Sequence, residues 1–169
     1  MPNNLLRGAI AGAAGTIALD VTTYGDMLLR GRPASNVPAK VAETMAGKVG
    51  LDLGAGGTPE QAESRKSAVG ALLGYATGVG LGVLHGALRP HLAVVPRPAA
   101  GVILGLGAMT ASDVPIAATG ASDPRTWGVS GWLSDLIPHL VYGFVTVAVY
   151  EAVTPRHRGL VDRVLAARR

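Results

Sequence analysis

The chain has 169 residues, of which 49% are hydrophobic and 15% charged, with a net charge of +4. A soluble domain carries about 25% charged residues, and the basic residues here flank apolar runs, which is a membrane pattern rather than a nucleic-acid-binding one. Cysteine is absent, which excludes disulfides, thiol catalysis and thiolate metal sites.

The first apolar stretch covers residues 5–29 and is interrupted by Asp20 and Asp26. Its leading segment holds only Arg7 as a basic residue, and no convincing cleavage site precedes the Arg30-Gly31-Arg32-Pro33 stop, so it reads as a retained span rather than a signal peptide. A long connection, 30–58, follows. Within it Val37, Val41, Met45 and Val49 recur every four residues, which predicts a short surface helix. Thr58-Pro59-Glu60-Gln61 predicts a helix start: a threonine cap, proline at the first position and glutamine for a capping box.

The second span, 68–88, carries Gly70, Gly74, Gly78, Gly82 and Gly86 at a constant spacing of four. Glycine is the poorest ordinary helix former. At this spacing it opens a groove along the helix, and small residues mark the contacts of membrane helices. The expected partner is the first helix through Gly8, Ala11, Gly12 and Gly15, the third through Gly101 and Gly105, or another protein.

Residues 89–98 form a proline-stopped link to the third span, 99–119, which contains Asp113. A second link, 120–131, leads to the fourth span, 132–153, which contains Asp135 and His139. Each stretch is near the roughly 20 residues that cross a bilayer core. The expected fold is all-α, with four transmembrane helices spanning 1–155. The tail, 156–169, reads as a basic amphipathic helix.

Residues 8–21 align with 101–114, with identities at Gly8/Gly101, Ile10/Ile103, Gly12/Gly105, Ala18/Ala111, Asp20/Asp113 and Val21/Val114. The second and fourth spans end alike, in Ala87-Leu88-Arg89-Pro90 and Ala152-Val153-Thr154-Pro155. Two hairpins of one orientation, related by duplication, are therefore expected. Arginine density places the termini in the cytoplasm and leaves Trp127 and Trp132 at the outer interface.

Ionisable residues inside spans are costly and mark functional sites. Asp20, Tyr24, Asp26, Asp113, Asp135 and His139 are expected to converge in one half of the bundle. Such a pocket would bind a cation, a proton or a lipid headgroup. The structural alternative is a hydrogen-bonded clamp using Thr22, Thr23 or Thr110. His85 reads as a satisfied interfacial histidine. Asp135 and His139 are too few for a metal site, so no metal and no cofactor is expected. No HExxH, Walker or nucleophile-elbow motif is present, so the chain reads as a non-enzyme.

The segment GAIAGAAGTIALDVTTYGDMLLRGRPASNVPAKVAE, with Tyr24, Asp26, Met27 and Arg30 to Ser35, resembles the N-terminal part of small, uncharacterised four-span membrane proteins of actinobacteria. The resemblance implies an inner-membrane protein of unassigned function. It also implies the association of some such proteins with large envelope machines, including mycobacterial lipid-import complexes of the mammalian-cell-entry type. The resulting expectation is an accessory subunit in contact with membrane lipids and a larger membrane-protein complex, and not with nucleic acid. The rival is a small oligomeric channel or carrier using Asp20 and Asp113.

Overall fold

In a computed structural model the chain is all-helical over the residues it describes, 2–155. The amphipathic tail expected at 156–169 lies outside them. Five helices follow one another: α1 (Pro2–Arg30), α2 (Val37–Lys48), α3 (Pro59–Leu88), α4 (Arg97–Thr119) and α5 (Gly128–Val153), with a 3-10 turn at Pro124–Thr126 before α5. Four of them, α1, α3, α4 and α5, are long and apolar enough to cross a membrane.

Local chemistry sets the ends of these helices. Gly31 adopts φ +63° after α1 and Gly120 φ +68° after α4, a left-handed conformation that glycine reaches without strain. At the start of α3 the expected capping box is present. Thr58 Oγ1 accepts from the Gln61 N–H at 3.3 Å, and Gln61 Oε1 accepts from the Thr58 N–H at 3.0 Å. α5 begins a turn earlier than the hydropathy alone implied, because Gly128 turns the chain at φ +63° directly into the helix.

The four long helices run alternately up and down. α1 packs along both α3 and α5, and α5 packs along α4, whereas α3 and α4 touch only briefly. The short helix α2 packs on α3 and, less, on α4. Its buried face is Ala39, Val41, Ala42 and Ala46, so of the valine–methionine row only Val41 is buried: Met45 is half-exposed, and Val49 is exposed beyond the helix end. Alanines win because the surface they meet is itself close. A Cβ on Gly70 would sit 2.7 Å from the Pro38 carbonyl oxygen. α3 has 30 residues, about 45 Å at ~1.5 Å per residue, longer than a hydrocarbon core of ~30 Å. Its first turns thus extend past the apolar zone, where Lys66 pairs with Glu43 of α2 at 2.7 Å.

Two glycine seams hold the bundle, and they have the same geometry. On α1 and α3, a Cβ on Gly12 would lie 2.7 Å from the Gly78 carbonyl oxygen. One on Gly82 would meet the Gly8 carbonyl oxygen and the Gly12 nitrogen, the latter at 2.6 Å. On α4 and α5, a Cβ on Gly105 would lie 2.7 Å from the His139 carbonyl oxygen. One on Gly143 would meet the Gly101 carbonyl oxygen and the Gly105 nitrogen, the latter at 2.5 Å. Gly8, Gly12, Gly78 and Gly82 therefore correspond to Gly101, Gly105, His139 and Gly143. The first-half pairing agrees with the alignment of 8–21 to 101–114. The similar endings at 87–90 and 152–155 do not follow this register. They are four residues out, about one helical turn, because helix ends follow link length while the seam follows backbone contact.

Two tyrosines tie α5 to α3. Tyr142 and Tyr150 donate to the carbonyls of Gly78 and Gly86 at 2.7 and 3.3 Å. Glycine exposes these carbonyls to a side-chain donor from a neighbouring helix. Tyr142 and Thr146 are almost fully buried, packed over Gly15.

Candidate functional site

The polar residues expected to converge are divided among three places. Asp20 of α1 accepts a hydrogen bond from Tyr75 of α3 at 3.0 Å, at an exposed position. Tyr24 is 64% exposed. Asp26 turns away to the end of α1. The expected single pocket is not formed, because each aspartate follows its own hairpin seam. Thr22 and Thr110 do not clamp them either: their hydroxyls donate to the carbonyls of Ala18 and Leu106 on their own helices, at 2.7 and 2.8 Å.

The second hairpin does assemble a cluster. Asp113 of α4 lies beside Asp135 and His139 of α5. His139 Nδ1 is 2.7 Å from the Asp135 backbone carbonyl and 3.4 Å from its Oδ1. His139 Nε2 is 3.3 Å from Ser112 Oγ, which is 3.5 Å from Asp113 Oδ1. Asp135 Oδ2 is buried with no hydrogen-bond partner among the described residues. The i,i+4 spacing of Asp135 and His139 was legible, but Ser112 was not singled out. Its signal was adjacency to Asp113. In repeat register Asp135 stands where the first half has Gly74, and His139 where it has Gly78. The two halves thus share a scaffold and differ in chemistry at these points. Among the described residues no group of three or more His, Asp or Glu side chains is arranged to hold a metal.

The third place holds the residues that carried the family resemblance. Asp26 Oδ2 accepts from Arg30 Nη2 and Arg32 Nε, each at 2.6 Å. Gly31 supplies the reversal that brings Arg32 back to Asp26. Arg30 also donates to Ser130 Oγ of α5 at 2.7 Å, and to Ser134 Oγ. A cleft of about 200 Å³ opens between α1 and α5 beneath this clamp, lined by Thr22, Asp26, Arg30, Leu133, Ser134, Ile137 and Pro138. Arg30 and Arg32 are legible in the sequence as a helix stop and as part of the resembling segment, but not as partners of Asp26. The spacing Asp-x3-Arg-x-Arg, with glycine between the arginines, was the available signal.

At the opposite end Glu151 binds Arg89 at 2.9 Å and Arg97 at 3.2 Å, closing the α3–α4 link. His85 stacks edge-on against Tyr150, with ring centroids 5.2 Å apart. It is not satisfied as expected, since its Nε2 is buried without a partner among the described residues.

The glycine ladder also divides. Gly78, Gly82 and Gly86 face α1, through Thr16, Gly12, Gly8 and Asn4, while Gly70 faces α2. Gly74 lies in the gap between these two partners, with nothing within 4 Å of an added Cβ. Gly80 faces open space on another side of α3.

No curated protein and no solved structure matches the chain. A family profile covers residues 2–161, all four membrane-length helices included, and on that match the chain belongs to DUF6789, a family of unknown function.

Proposed function

We propose that this protein is a non-enzymatic accessory subunit of a larger inner-membrane assembly, of the kind that moves lipids, and that it docks through the outward face of α3. One observation carries the reading. Ala76, Thr77 and Gly80 are exposed on α3, and Gly80 meets nothing of its own chain within 4 Å. Glycine inside a helix costs about 1 kcal/mol relative to alanine. At Gly82 the seam with α1 offsets that cost; at Gly80 no contact within the chain does. A close-packed partner helix would supply the offset, as at other small-residue contacts in lipid. With Arg156, Arg158, Arg163, Arg168 and Arg169 counted from the sequence beside Arg7, Arg89 and Arg97, the side of the termini has eight basic residues against seven spread over longer connections, and that density supports cytoplasmic termini.

The test is mild detergent extraction at native expression, followed by measurement of particle mass and composition. The expected result is a large particle with reproducible partners, lost in Gly80→Leu. A lone monomer or small homo-oligomer would end this reading.

A second reading, an oligomeric channel or carrier, draws support from the Asp113–Asp135–His139 cluster and the unpartnered Asp135 oxygen. Asp20 sits apart from that cluster, so the two aspartates would act at separate points. Replacing both Asp20 and Asp113 with asparagine separates the readings. A carrier loses flux while still assembling, whereas an accessory subunit keeps its particle and its flux is unaffected.

A further inference from the structure

We infer that the cleft between α1 and α5 is a binding site for one anionic phospholipid, whose phosphate is held by Arg30 and Arg32. Charge is the first observation. Two guanidinium groups meet a single carboxylate, Asp26, which lines the cleft with Arg30, while Arg32 lies behind it, so one net positive charge is left beside the cleft. Arg32 uses only its Nε in that pair, and its two terminal nitrogens have no hydrogen-bond partner among the described residues. A guanidinium fork of this kind matches two phosphate oxygens.

Polarity along the cleft is the second observation. Arg30, with Ser130 and Ser134, lies at the start of α5, and Ile137 and Pro138 line the deeper wall, opposite Thr22 of α1, whose hydroxyl is spent on the Ala18 carbonyl of its own helix. From Ser130 to Ile137 is seven residues, about 10 Å along a helix. The interfacial layer of a bilayer is about 5–8 Å thick on each side, so the cleft reaches from headgroup level into the acyl chains. A soluble anion would use only the mouth; a lipid uses both parts.

Depth is the third. α1 ends at Arg30, and the paired rings of Trp127 and Trp132, 5.2 Å apart, flank the start of α5 at the same end. Tryptophan pairs at that level belong to the membrane–water interface. The clamp is thus at phosphate height, with the cleft pointing into the hydrocarbon. This assignment is independent of any docking by α3, since the two surfaces lie on different helices.

The test uses the full chain, purified in mild detergent and offered an equimolar mixture of phosphatidylglycerol and phosphatidylcholine, with bound lipid read by native mass spectrometry. One retained phosphatidylglycerol per protein is expected, in about tenfold preference over phosphatidylcholine. Arg32→Gln leaves the Asp26–Arg30 pair in place and should lower retention about tenfold, in line with the loss of a charge-assisted contact. Ser134→Leu fills the cleft without changing charge and should also lower it, so the proposal stays testable if Arg32→Gln misfolds. Equal retention of both lipids, or unchanged retention in the folded variants, overturns the assignment. A competition arm adds glycerol 3-phosphate. Displacement of the lipid at millimolar concentration would show a site for soluble phosphate esters and would overturn the lipid assignment; no displacement supports it.

Discussion

Glycines of one helix differ sharply in what they do. Gly82 faces backbone atoms of α1 that cannot move aside, with the Gly12 Cα 2.5 Å from an added Cβ. Gly80, two residues earlier, faces nothing. Alanine gains about 1 kcal/mol of helix propensity at either site. Overpacking against a rigid neighbour costs about 1–3 kcal/mol, and for a backbone neighbour the upper part of that range applies. Gly82→Ala should therefore lower the thermal unfolding midpoint in detergent, with a net loss of about 1–2 kcal/mol, while Gly80→Ala leaves it equal or higher. If both variants melted like the parent, α1 and α3 would not be in backbone contact. Gly82 belongs to the four-residue ladder and Gly80 lies off it, but spacing alone does not say which glycine has a neighbour.

At the scale of elements, the sequence was most informative at helix ends. The Thr58 and Gln61 pair, the proline after it and the glycines at 31 and 120 act through local backbone chemistry, so their outcome does not depend on the rest of the fold. Thr58→Ala removes a cap worth about 1 kcal/mol. The expected outcome is faster amide exchange over Glu60–Glu63 with little change in the transmembrane part of α3, as hydrogen exchange would read. Spread of the effect to Gly78 would mean that the α3 start and the seam unfold together. The face of α2 was less legible. Its valines have the stronger hydrophobic pattern, yet Ala39, Ala42 and Ala46 are buried with Val41, because Gly70 lets α2 approach too closely for long side chains.

For the whole molecule, two seams of one design are combined with two inter-hairpin contacts that are unequal. α1 packs fully along α5, whereas the equivalent pair, α3 and α4, barely meets and has α2 beside it. Internal symmetry is thus broken by the inserted helix. The matched seams carry a quantitative expectation. Gly143→Ala should destabilise the bundle by about as much as Gly82→Ala, about 1–2 kcal/mol, and the two effects should add to within ~0.5 kcal/mol, as at separated sites. Unfolding of the two single variants and the double variant in detergent checks this. A neutral Gly143→Ala would refute the equivalence of the halves. The polar residues do not converge because each aspartate follows the seam of its own hairpin. The two halves keep their aspartates at matching positions, but only the second surrounds its aspartate with Ser112, Asp135 and His139.

The sequence by itself determined four membrane-length helices, their order and their breaks. In lipid a spanning segment must satisfy its own backbone hydrogen bonds, so a long enough apolar run has no choice but helix. It also marked glycine as the material of the contacts. Only the tertiary structure decided which glycines meet, that the second-half register is one turn away from the similar helix ends, and that Asp26, Arg30 and Arg32 close on one another above a cleft. Membrane helices gain no hydrophobic energy by meeting, so their pairing rests on the fit of backbones and on hydrogen bonds between distant residues. That fit is a property of two surfaces together and is written in neither helix alone.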